Sequence, residues 1–154
     1  MAVNLFTLSL FTHILFVAAW LFTIPIAALI ERAANATSNQ AEKYKILSYI
    51  SVNSIIGLVS AVVIFITGAI MTTELDMWAP SGRFWLVTKQ SIWVLIIILY
   101  LVLLAPTGKK FGQQLQESAP EEEVMATFKN LKIRGHILTA FILINIFLAT
   151  TQPF

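Results

Sequence analysis

Cysteine is absent from this 154-residue sequence, and charge is scarce, with Lys, Arg, Asp and Glu making up only 12% of it. Without thiols there is no disulfide framework and no thiolate-based metal or redox site. An ordinary soluble domain carries about a quarter charged residues, roughly twice this share. The ten basic and eight acidic residues leave a net charge of +2. That near-balance excludes the single-sign tails of disordered or nucleic-acid-binding segments, so no nucleic-acid partner is expected. What the chain does have is apolar residues, 58% of the total, and a mean hydropathy of +0.82. A soluble domain of this size has too much surface for its volume to hide them. An integral membrane protein in contact with the lipid bilayer remains.

Four apolar runs account for most of the chain: 1–30, 46–73, 84–105 and 135–154. Each reaches the roughly 20 residues that cross a bilayer core as a helix. A closed barrel would alternate apolar and polar residues, and Val94 to Ala105 (VLIIILYLVLLA) does not. The expected fold class is therefore all-α: a polytopic membrane protein with transmembrane helices over about 4–30, 47–73, 84–105 and 133–151, packed as one antiparallel four-helix bundle. The first run has no Lys or Arg ahead of it and exceeds the 7–15 residues typical of a signal peptide, so a retained span is expected.

The connections are asymmetric in charge. Arg32, Lys43 and Lys45 lie between the first and second runs, and Lys109, Lys110, Lys129, Lys132 and Arg134 between the third and fourth. The opposite side has only Arg83. The positive-inside rule then puts both longer loops in the cytoplasm and both termini outside, which in a bacterium is the periplasmic face of the inner membrane. In the second of these loops, Ser118-Ala119-Pro120-Glu121 reads as a helix start, with Glu121, Glu122 and Glu123 favourable near an N-terminus. A surface helix over about 118–132 is expected to lead into the last span.

Few residues inside the spans need a reason to be there. His13 and Trp20 are seven apart in the first span, hence on one stripe. Pro25 is expected to kink that helix. Lys89, in the third span, has Trp85 four residues before it and Trp93 four after. At about 1.5 Å per residue, His13 is about 13 Å and Lys89 about 9 Å below the outer surface. An intramembrane ammonium usually faces a bundle interior or polar cavity, or snorkels to the surface. His13 reads either as a metal or cofactor ligand or as an interhelix hydrogen-bonding residue. Trp78, Phe84 and Trp85 also suit an aromatic belt. Gly57, Ser60 and Gly68 suit close helix packing. Met71 and Met77 are thioethers of the kind that suit Cu(I), or, as two methionines six apart on a membrane helix usually are, simply packing residues.

The pattern His13-x6-Trp20 in the first span and Trp85-Leu86-x-x-Lys89 in the third resembles a four-helix membrane superfamily. It includes HemJ-type protoporphyrinogen oxidases, CopD-like copper-resistance domains and predicted integral membrane proteins with no assigned activity. The likeness runs over all four spans, but only these two short motifs are specific. It implies that the positions of His13 and Lys89 are functional and that a b-type heme is bound, with His13 as the iron ligand. HemJ-type helices continue after the Trp with Gly and then Tyr-Leu-Pro-Arg, towards a second His. Here Leu21-Phe22-Thr23-Ile24-Pro25 follows, then Glu31-Arg32 and no second His. That departure puts the chain nearest the members without an assigned activity. The expectation is a redox membrane protein binding heme b, a porphyrin or a quinone through His13, Lys89, Trp20, Trp85 and Trp93. The alternative is a non-enzymatic partner subunit, a homo-oligomer or a copper-related transport component.

Overall fold

A computed structural model describes residues 4–75, 77 and 84–151, the side chains of 84, 85, 149 and 151 excepted. Trp78, Arg83 and the Trp85 side chain lie outside the described residues. Among the described residues every element is helical: α1 Leu5–Ala36, α2 Gln40–Glu74, α3 Phe84–Leu99, a π-helical turn Tyr100–Leu104, α4 Ala105–Gln116 and α5 Glu121–Thr151. Four helical stretches are long and apolar enough to cross a membrane: Leu5–Ala36, Gln40–Glu74, Leu86–Gln116 and Glu121–Leu148. Large apolar side chains stand exposed along them, Phe11 at 66%, Leu29 at 64%, Val102 at 64% and Phe147 at 63%. Water would penalise such a surface, whereas lipid is its natural solvent.

The helices outrun the apolar segments. α1 continues through Glu31–Ala36, and α2 starts at Gln40 rather than near 47. The added residues include Ala33, Ala34, Ala36, Ala41, Glu42 and Lys43, mostly strong helix formers that need no lipid to stay helical. Hydropathy marks where a helix is greasy; propensity and caps mark where it ends.

The chain divides into two compact units, Met1–Ala79 and Pro80–Phe154. In the first, the short connection 37–39 joins α1 to α2. Asn4 caps α1 by accepting from the Thr7 amide at 2.8 Å, and Asn39 caps α2 by accepting from the Glu42 amide at 3.2 Å. Glu42 lies in the first turn of α2, suited to its dipole, and accepts from Thr37 Oγ1 at 2.9 Å. Cross-helix pairs run in opposite order along the two helices, Thr23 with Asn53, Trp20 with Gly57 and His13 with Thr67. The pair is therefore an antiparallel hairpin. The buried residues of α2 are Tyr44, Leu47, Ile50, Asn53, Ser60, Ile64, Thr67 and Thr72, mostly three, four or seven apart as one helix face requires. A Cβ at Gly57 would touch Trp20 at 3.9 Å and one at Gly68 would touch His13 at 3.5 Å. Both glycines thus face α1, as their small size in a span predicts. α1 stays one helix through Pro25. Proline offers no N–H to the carbonyl of Leu21, and in the adjoining turns Thr23 Oγ1 donates to the Trp20 carbonyl at 2.6 Å.

In the second unit α3, the π turn and α4 follow one another without a break. The π turn is closed by the Ala105 amide bonding to the Tyr100 carbonyl, directly before Pro106. A proline in an α-helix removes one backbone bond and crowds the carbonyl four residues back. A single π turn is one of the local adjustments by which a helix proceeds past such a disturbance. α4 ends in a Schellman turn: the Ala119 amide reaches the Gln114 carbonyl at 3.0 Å and Ser118 takes φ 51°. Ser118, expected to open the next helix, instead closes this one. α5 starts at Glu121, with the Glu123 and Val124 amides bonded to the Pro120 carbonyl, and runs unbroken to Thr151. The expected surface helix is therefore the first part of α5. Phe111 of α4 and Phe128 of α5 stack with centroids 5.5 Å apart, beside the fully buried Val124. Further along, Leu86, Trp93 and Ile96 of α3 are buried, as are Leu138, Ile142 and Asn145 of α5.

Candidate functional site

His13 projects from α1 towards α2. Its Nδ1 lies 2.9 Å from Thr67 Oγ1, and its Cε1 edge sits over Gly68, where a Cβ would come within 3.5 Å. The Thr67 hydroxyl is also 2.7 Å from the Val63 carbonyl and 3.2 Å from that of Ile64. A hydroxyl has one hydrogen, and in a helix it bonds back to the carbonyl four residues earlier. Thr67 then accepts at its oxygen, so Nδ1 of His13 carries the proton and donates. In that tautomer Nε2 holds the ring's lone pair.

Trp20 lies two turns along the same face, its indole Nε1 and Cδ1 both 3.9 Å from the Cβ position of Gly57. One turn further, Asn53 Nδ2 donates to the Thr23 carbonyl at 2.8 Å. Ser60, 1% exposed, lies on the α2 stripe between Asn53 and Thr67. The hairpin interface therefore contains a column of polar groups inside a pair of apolar spans. Polar groups in lipid are costly unless bonded, and these bonds cross from one helix to the other.

His13 and Trp20 lie on one face of α1 in the first unit; Lys89 and Trp93 belong to the second unit. Lys89 is half-buried and Trp93 is buried. The Lys89 backbone carbonyl accepts from Asn145 Nδ2 at 2.9 Å, and Asn145 is 3% exposed. His136, on α5, is exposed. Among the described residues no three His, Cys, Asp or Glu side chains gather as a metal site.

Thr67, Asn53, Asn145 and Arg134 play parts that sequence reasoning did not give them. The first three are single polar residues within apolar runs, a signal that was present but weak. Arg134 enters the sequence reading only as one of the basic residues of the longer loop. In the structure it is half-buried, its Nη1 donating to the Leu103 carbonyl at 2.8 Å and also to Thr107 Oγ1. Comparison of the chain with protein-family models, curated proteins and solved structures returned no match.

Proposed function

We propose that this chain is a multi-pass protein of a bacterial inner membrane, with both termini outside, and that its α1–α2 hairpin binds a planar redox cofactor through His13. The classes considered are a b-type heme, a porphyrin or a quinone. The supporting observation is the bond from His13 Nδ1 to Thr67 Oγ1. Ligating histidines characteristically donate their second ring N–H to a fixed acceptor, which sets the tautomer and raises the basicity of the other nitrogen. Thr67, anchored on the α2 backbone, is such an acceptor. The donor set fits a single nitrogen ligand or a hydrogen bond to a ring substituent. Trp20, on the same face of α1, offers an aromatic wall.

A bound heme would supply one-electron transfer, with an imidazole as a standard axial ligand. The residues of the hairpin would hold and orient it: Thr67 fixes the ring plane of His13, and Gly68 lets that ring lie close to α2.

The test is optical. Full-length protein, purified in detergent with hemin supplied, should show a Soret band and a reduced α band. Both should vanish in His13→Ala and weaken or shift in Thr67→Val. Wild-type spectra without those bands, or an unchanged His13→Ala spectrum, overturn the heme reading. Lys89→Met in the same assay asks whether Lys89 contributes: full cofactor retention removes it from the site.

A second reading has its own observation. His13–Thr67, Asn53–Thr23 and Asn145–Lys89 are all ties between facing helices. On this reading His13 is structural and the chain is a non-enzymatic subunit or transport component. His13→Ala then lowers the melting temperature of a protein that is colourless to begin with.

A further inference from the structure

A second polar locus lies in the other unit, between α4 and α5. A cavity of about 260 Å³ is lined by Pro106, Thr107, Lys110, Thr127, Asn130 and Arg134. Two of these are cationic and none is acidic. The Arg134 guanidinium is held by the Leu103 carbonyl and by Thr107 Oγ1. Thr107 in turn donates to the same carbonyl at 2.8 Å, so the three groups close a ring. Both acceptors are neutral, so they fix the guanidinium without cancelling its charge. Lys110, one turn after Pro106 on α4, adds a second charge. Thr127 and Asn130, from α5, add a hydroxyl and an amide. A cavity lined by two cationic side chains, hydroxyls and an amide, with no acidic residue, suits a tetrahedral oxyanion.

Its position in the chain says which oxyanion. The apolar run of the third span ends at Ala105, and the cavity starts at Pro106. Leu101 and Val102, 61% and 64% exposed, lead up to it on one helix, and Ile133 and Ile137, 48% and 45% exposed, flank Arg134 on the other. A phosphate seated here has apolar surface for acyl chains directly beside it. We propose that the α4–α5 cavity binds the phosphate of an anionic phospholipid at the membrane boundary, gripped by Arg134 and Lys110. Basic pockets between transmembrane helices are a recognised way of holding such headgroups.

The test is native mass spectrometry of the delipidated full-length protein in detergent, with phosphatidylglycerol, phosphatidylcholine or inorganic phosphate added at equal concentration. Phosphatidylglycerol should be retained at least about fivefold over phosphatidylcholine, the effect expected of one basic residue near the surface. Lys110→Gln and Arg134→Gln should each cut retention by about the same factor. Arg134→Gln also loses the Leu103 tie, so Lys110→Gln, at an exposed side chain, is the variant that leaves the fold intact. Lys109→Gln, its neighbour outside the cavity, should retain wild-type binding. Equal retention of the two lipids overturns the proposal. So does an equal loss in Lys109→Gln and Lys110→Gln, which would mean diffuse surface charge. Retention of inorganic phosphate as strong as that of phosphatidylglycerol also overturns it, because the ligand would then be the free anion.

Discussion

Thr67 and Thr107 repeat one arrangement. Each hydroxyl donates to the carbonyl four residues earlier in its own helix and accepts an N–H from the facing helix, His13 in one case and Arg134 in the other. A threonine oxygen so placed is a neutral acceptor fixed in direction by its own backbone. Interhelix bonds of this kind contribute about 0.6 kcal/mol on average and rarely above about 1.7 kcal/mol. Thr67→Val should therefore lower the unfolding free energy of the detergent-solubilised protein by about 0.6 to 1.7 kcal/mol, while Thr67→Ser stays near wild type. Denaturant titration of both variants decides this, and an unchanged Thr67→Val would mean the bond contributes nothing net. His13, Trp20 and Lys89 were legible in the sequence because each is conspicuous in an apolar run. Thr67 and Thr107 were not. A threonine in a span is commonplace, bonded to its own helix, and what gives these two a role is a partner 54 and 27 positions away.

Element ends show the same division between local and distant causes. The apolar spans were readable from hydropathy, but their continuation to Ala36 and from Gln40 depended on helix formers and asparagine caps outside the greasy segment. At Pro106 the sequence suggested an end to the third span. The π turn over Tyr100–Leu104 instead carries the chain through to Gln116, and no residue pattern announces such a turn. Ser118 was misread because Ser-x-x-Glu resembles a capping box, while its left-handed φ of 51° comes from the Schellman closure behind it. A non-glycine residue in that region is strained by about 1 kcal/mol. Ser118→Gly should relieve most of this, less the added freedom of glycine in the unfolded chain. The expected result is a melting temperature equal to or a few degrees above wild type. A clear drop would mean that the serine side chain contributes something the turn geometry does not explain.

For the whole molecule, the placement of charge makes the sharpest statement. Of the ten basic residues, all but Arg83 and Lys89 fall on the same side of the spans. On the proposed topology of four spans, both termini would face outward. Alkaline phosphatase fused after the C-terminus should be active, and a fluorescent protein fused there dark; the reverse result would invert the orientation. Lipid contact can be tested on Val102, 64% exposed on the third span. Val102→Asp should reduce the amount of membrane-inserted protein, since a carboxylate at a lipid-facing position costs about 2.5 to 3.5 kcal/mol on insertion scales.

The cross-helix bonds described above all close within a hairpin: His13 and Asn53 bond inside the first, Arg134 and Asn145 inside the second. This has a consequence for biogenesis. A helix entering lipid alone would carry its imidazole, amide or guanidinium unsatisfied, whereas a helix entering with its sequence neighbour brings the acceptor along. The short connections 37–39 and 117–120 keep the two members together as they leave the ribosome. Insertion in two steps, one hairpin and then the other in order of synthesis, would let a membrane-inserted chain carry these donor groups into the bilayer with their acceptors, leaving the buried Asn53 Oδ1 without one.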